Sequence, residues 1–178
     1  MRETNLLVWR LHGGKDDPLS IPQYPEGRYR FDAPDGAFRV TYASTSRKGC
    51  IAEVYGDDKV IEREEGGRRH FFRFGASRPL KVIALDAANV RSVLKLDLRI
   101  CSTLFYERTQ AWAKVLYSWY PEASSIRYLG RNSAPERNYC LFLDRFESDV
   151  FAENEGPLRT FRRTVQAVAR THGIASEV

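Results

Sequence analysis

Arg30-Phe31-Asp32-Ala33-Pro34-Asp35-Gly36-Ala37-Phe38-Arg39-Val40-Thr41-Tyr42-Ala43, followed by Ser44-Thr45-Ser46 and a short segment carrying Glu53, is the stretch around which the chain is organised. Strand side chains alternate, so Phe38, Val40 and Tyr42 share one face and Arg39, Thr41 and Ala43 the other, which predicts a half-buried strand. Pro34-Asp35-Gly36 is a turn signal before it: proline presets φ, Asp bonds its own backbone and Gly tolerates positive φ. Ser44, Thr45 and Ser46 are each competent to cap a helix whose apolar stripe is Cys50, Ile51, Val54 and Tyr55. A turn, strand, cap and helix in this order draw Arg30, Tyr42 and Glu53 towards one another.

Arg30-Phe31-Asp32-x-Pro34, then Gly36, Val40-x-Tyr42-Ala43, Ser46, Cys50 and Glu53 resemble the signature of RES-domain proteins. Leu98 to Thr103, Thr109-Gln110-Ala111-Trp112-Ala113, Ile126-Arg127-Tyr128-x-x-Arg131 and Cys140-Leu141-Phe142 fit the same pattern in the same order. The resemblance runs from about Trp9-Arg10 to Arg145. It implies a mixed α/β (α+β) fold, with a twisted sheet flanked by helices as in ADP-ribosyltransferases. It also implies the toxin half of a type II toxin-antitoxin pair, whose partner is an antitoxin with an Xre-type helix-turn-helix domain. The family's arginine, tyrosine and glutamate map onto Arg30, Tyr42 and Glu53; Arg10 and Arg131 also match family arginines. One position departs: the family commonly has serine where this chain has Gly130. Ser133 is nearby but out of register and is given no weight.

The resemblance implies NAD as a substrate, with no bound cofactor and no metal. Breaking the bond between nicotinamide and ribose builds positive charge on the sugar, so a carboxylate near the anomeric carbon, Glu53, suits it. The face of Tyr42 suits a cationic pyridinium. The planar forks of Arg30 and Arg10 suit diphosphate oxygens. Three reactions or roles stand side by side: hydrolysis or phosphorolysis of NAD, transfer of ADP-ribose to a protein, and a catalytically reduced RES-fold binding module.

Composition sets the outer bounds. A chain of 178 residues with 43% hydrophobic and 29% charged residues predicts one globular domain, 1–178. No secretory leader or membrane span is read from the sequence, so a cytoplasmic location is expected. Cys50, Cys101 and Cys140 lack metal-ligand spacing and sit among apolar neighbours, which predicts small buried hydrophobes, without a disulfide or zinc. The net charge of +5 admits nucleic acid, a phosphorylated small substrate or an acidic partner. Its local groups, Arg68-Arg69 and Arg159, Arg162, Arg163 and Arg170, read better as solvated faces than as an RNA patch. Direct nucleic-acid binding is therefore not expected, while a homo-oligomer is left open.

Along the chain, strands are predicted for 5–11, 70–74, 80–86, 125–128 and 139–143. Ser20 to Tyr29 reads as a loop, with Tyr24 and Tyr29 packing at the domain edge or lining a pocket. The charged run Gly56 to Arg69 reads as an exposed connection or a lid. Asp86 is a candidate cap for a short helical turn. Thr103 to Trp119 is the strongest helix, with Phe105, Trp112, Leu116 and Trp119 as its core stripe. Leu158 to Thr171 is a basic amphipathic helix stopped by Gly173.

Overall fold

The structure, a computed structural model, describes residues 1–19, 27–145 and 149–178. In chain order these form β1 (Arg2–Thr4), β2 (Leu7–His12), β3 (Val40–Ser44), α1 (Arg47–Tyr55), β4 (Val60–Ile61), α2 (Arg63–Arg68), β5 (His70–Ala76), β6 (Leu80–Ala84), α3 (Ala88–Val93), α4 (Tyr106–Trp119), β7 (Ser125–Leu129), β8 (Arg137–Phe142), β9 (Val150–Pro157), α5 (Arg162–His172) and β10 (Ala175–Ser176). Tyr24, read above as an edge or pocket residue, lies outside the described residues.

Eight strands make one sheet in the order β1-β6-β7-β8-β3-β2-β5-β9. β6 and β7 run parallel, while every other neighbouring pair is antiparallel. β10 and β4 form a separate parallel pair. The class is the mixed α/β one expected, a sheet with helices against it. Phe31, Phe38, Ile126, Tyr128, Cys140, Phe142 and Leu116 of α4 pack in one cluster, and α1 and α5 pack with Leu11 and Phe71 in a second. Val8, Ala43, Phe72, Phe74, Tyr139 and Leu141 make a third.

Three clusters explain why β3 departs from the half-buried strand expected. Its alternation holds, with Phe38, Val40 and Tyr42 in the first cluster and Ala43 in the third. The strand lies between β8 and β2, however, and Thr41 and Ala43 are buried as well. A central strand is covered on both faces.

α1 starts where the sequence places it: the Ser46 hydroxyl accepts the Gly49 amide at 3.0 Å. α5 ends at Gly173, whose φ of 62° is the left-handed conformation that releases a helix. Four expectations need correcting. The stripe of α4 is rotated: Thr109, Gln110, Ala113 and Leu116 face inward, whereas Phe105 and Trp119 are exposed. The charged run after α1 is largely exposed, as expected, but it is more than a connection, because Ile61 is fully buried and the Tyr55 hydroxyl donates to Glu65 at 2.8 Å. Asp86 does not cap α3; Arg127 and Arg137 each donate to it at 2.9 Å. β9 occupies a stretch to which the sequence assigned no element, because its Glu153 and Glu155 break the apolar pattern of this edge strand. All three cysteines are free and buried, in the small-hydrophobe role expected.

Candidate functional site

The site begins as a knot in the backbone before β3. Asp32 Oδ2 accepts the amides of Arg28 at 2.8 Å and Tyr29 at 2.7 Å, closing a turn around Arg30. The Tyr42 hydroxyl donates to Asp32 Oδ1 at 2.8 Å and accepts the Phe31 amide at 2.9 Å. α4 adds a further tie, Gln110 Nε2 to the Tyr29 carbonyl at 2.9 Å. Arg30, the residue inside the turn, is buried; its guanidinium donates to the Thr103 carbonyl and lies 5.3 Å from the Tyr106 ring centroid. Burial, together with Cys140 and Asp32, pushes the Tyr42 hydroxyl well above its ordinary pKa, so it remains a donor.

On the other side of Tyr42 the sheet ladder fails. β2 and β3 pair only at Trp9 and Ser44, and the Tyr42 carbonyl instead takes a bond from Arg10 Nη1 at 3.2 Å. Arg10 Nε is buried and has no hydrogen-bond partner. Burial pulls this guanidinium below its ordinary pKa, against the opposing pull of Cys50, Tyr29 and Tyr42. Among the described residues neither Arg10 nor Arg30 forms an ion pair with a carboxylate.

Glu53 stands on α1 one turn after Cys50, whose thiol contacts the Trp9 carbonyl at 2.9 Å. Its Oε1 accepts the Asn132 amide at 2.9 Å. Tyr128 of β7 connects the two halves of the site: its hydroxyl is pushed well up by burial, then by Glu53, while Arg30 opposes the shift. Gly130 follows on the same face of the strand. A side-chain carbon built there would come within 3.0 Å of Ser133 Oγ, Asn138 Nδ2 and Glu53 Oε1. The Ser133 hydroxyl lies against Gly130 and accepts a bond from Asn138 Nδ2 at 3.2 Å. Arg131 lies at the outer end of α1, where it pairs with Asp57.

The structure therefore brings Arg30, Tyr42 and Arg10 together around the start of β3, and reaches Glu53 through Tyr128. Asp32, Tyr128, Asn132, Ser133 and Asn138 were not picked out as site residues from the sequence. Asp32 carried a usable signal, since an aspartate preceded by a tight turn commonly bonds backbone amides; the others are joined only through the sheet register. Among the described residues no group of three or more His, Cys, Asp and Glu side chains is placed to hold a metal ion.

The mixed sheet is thus interrupted beside Tyr42, with the helix-borne Glu53 and with Arg10 and Arg30, which among the described residues form no ion pair with a carboxylate. The chain belongs to the RES domain family, whose profile matches residues 7–162. It is similar to a chain in the crystal structure of the M. tuberculosis MbcT-MbcA toxin-antitoxin complex, with a TM-score of 0.70 and 13% identity, over 92% of this chain and 91% of that one. Among curated proteins no sequence matches it significantly.

Proposed function

We propose that this protein is the NAD-consuming toxin of a type II toxin-antitoxin pair, cleaving the nicotinamide-ribose bond by hydrolysis or phosphorolysis and so arresting growth. The observation that carries this reading is that, among the described residues, Arg10 and Arg30 form no ion pair with a carboxylate. A desolvated guanidinium is costly unless an anion meets it, and a diphosphate supplies both charge and acceptors for the planar forks of Arg10 and Arg30. Arg131 stands further out and contributes to substrate attraction only by exchanging Asp57 for a phosphate.

Glu53 then faces the ribose. Its Oε1 is held by the Asn132 amide, and its charge stabilises the cationic sugar as the nicotinamide leaves. Tyr42 has two jobs. Its hydroxyl fastens the Arg30 turn, and its ring, 5.9 Å from the Tyr29 ring, offers a face to the pyridinium. The family membership and the toxin-antitoxin complex of the similar structure support a partner that silences the enzyme, and an antitoxin with an Xre-type helix-turn-helix domain fits that role.

The test is direct. Purified protein incubated with NAD releases nicotinamide, and Glu53→Ala releases none. Absence of release from the parent protein, freed of partner, refutes the reading; radiolabel moving from NAD to a macromolecule would redirect it to ADP-ribosyl transfer.

A further inference from the structure

Glu53 of α1 and Asp57 of the turn that follows it stand one helical turn apart, because Gly56 at the helix end keeps helical angles, φ −65° and ψ −23°. Side chains four residues apart share a face, and two carboxylates placed so repel each other. The segment after β7 lies across both. Its Asn132 amide donates to Glu53 Oε1 at 2.9 Å and Asn132 Nδ2 donates to Asp57 Oδ1 at 2.9 Å, while the Arg131 guanidinium donates to Asp57 Oδ2. Gly56, buried between the two carboxylates, makes room for this approach. A side-chain carbon built there would come within 2.6 Å of Asn132 Cβ and Cγ. A φ of −65° suits any residue, so the closeness of Asn132 rather than backbone conformation calls for glycine.

Asn132 is thus gripped twice, by its backbone at Glu53 and by its side chain at Asp57. A peptide N–H is fixed in its plane, so the amide that meets Glu53 is aimed only as well as the residue carrying it is held. The side-chain grip supplies that hold. We propose that Asp57 is a positioning residue for Glu53, acting through Asn132: it seats the Asn132 side chain against Gly56, which aims the Asn132 amide at Oε1 and leaves Oε2 to face the ribose. The Asp57 side chain is 55% exposed, and an ion pair so exposed adds little to folding. Its effect therefore falls on the geometry of Glu53 and not on stability.

The inference rests on the NAD-cleaving reading, and the experiment separates the two. The kcat and KM of nicotinamide release are measured for the parent, Asp57→Ala, Asp57→Asn, Asn132→Ala and the double variant Asp57→Ala/Asn132→Ala, each first checked by thermal melting. Asp57→Ala melts close to the parent, yet its kcat falls about 10-fold with KM for NAD little changed, as a small displacement of a catalytic group requires. Asp57→Asn keeps an oxygen for Asn132 Nδ2 while giving up the ion pair with Arg131, so it retains most of the parental kcat. In the Asn132→Ala background Asp57→Ala has little further effect, because the carboxylate acts through that side chain. Parental kcat in Asp57→Ala, a loss in Asp57→Asn equal to that in Asp57→Ala, or full additivity with Asn132→Ala overturns the role of Asp57 while the function stands. A parent without nicotinamide release overturns both.

Discussion

A single carboxylate, Asp32, holds the Arg30 turn and the Tyr42 hydroxyl at once, through three hydrogen bonds of 2.7 to 2.8 Å. Tyr42→Phe removes the one donor that links this turn to β3 and leaves the Phe31 amide without its acceptor. Stability falls by about 1–2 kcal/mol, the value of a hydrogen bond to a charged group together with an orphaned buried donor, as read by urea unfolding. On the proposed NAD-cleaving reading, the kept aromatic face makes nicotinamide release fall less in Tyr42→Phe than in Tyr42→Ala. Tyr42 itself is legible in the sequence from its alternation with Phe38 and Val40. That its hydroxyl is committed to Asp32 is not, because the bond depends on how the preceding turn folds back onto the strand.

At the scale of elements, the largely exposed segment between α1 and β5 is anchored in the core by Ile61. Ile61→Ala costs about 2–4 kcal/mol, as expected for a fully buried branched side chain, whereas an exposed connection would lose almost nothing; chemical denaturation distinguishes these outcomes. Asp86 ties the end of β6 to β7 and β8 through Arg127 and Arg137. Burial raises its pKa, but the two arginine bonds outweigh burial and hold it below the ordinary carboxylate value. A carboxyl depressed in the folded state contributes stability that is present above the unfolded pKa of about 3.9 and is lost as pH falls through the folded value. Asp86→Asn therefore lowers stability by about 2 kcal/mol at pH 7, and the gap to the parent closes as the pH drops below about 4, in unfolding curves taken at both pH values. The sequence offered Asp86 as a helix cap because the residue type suits one; the register that sets Arg127 against Tyr139 on the adjacent strand brings both arginines within its reach.

For the whole molecule, ligand binding is linked to folding. If the two arginines receive the diphosphate, NAD stabilises the Glu53→Gln protein, which holds the substrate without consuming it. At 100 times Kd the gain is about 2.7 kcal/mol, a rise of several degrees in melting temperature for a chain of this size. Arg10→Ala and Arg30→Ala each shrink that rise, while Arg131→Ala, whose partner is Asp57, leaves most of it. Equal shifts in all variants would place the anion elsewhere.

The sequence by itself determined that a cap within Ser44-Thr45-Ser46 starts α1, that Gly173 stops α5, and the ordered motifs of the RES family, because caps, stops and alternation are local properties of neighbouring residues; that Ser46 is the cap, and that β9 is a strand, came from the structure. The sequence also named Arg30, Tyr42 and Glu53. Only the tertiary structure decided that β3 is covered on both faces, that the aromatic stripe of α4 turns partly outward, and that the run after α1 contributes to the core. It alone placed Ser133 beside Gly130 and showed that, among the described residues, Arg10 and Arg30 form no ion pair with a carboxylate. These depend on which segments the sheet order brings together. Residues far apart in the chain meet through strand register, and neither periodicity nor spacing along the chain encodes that meeting.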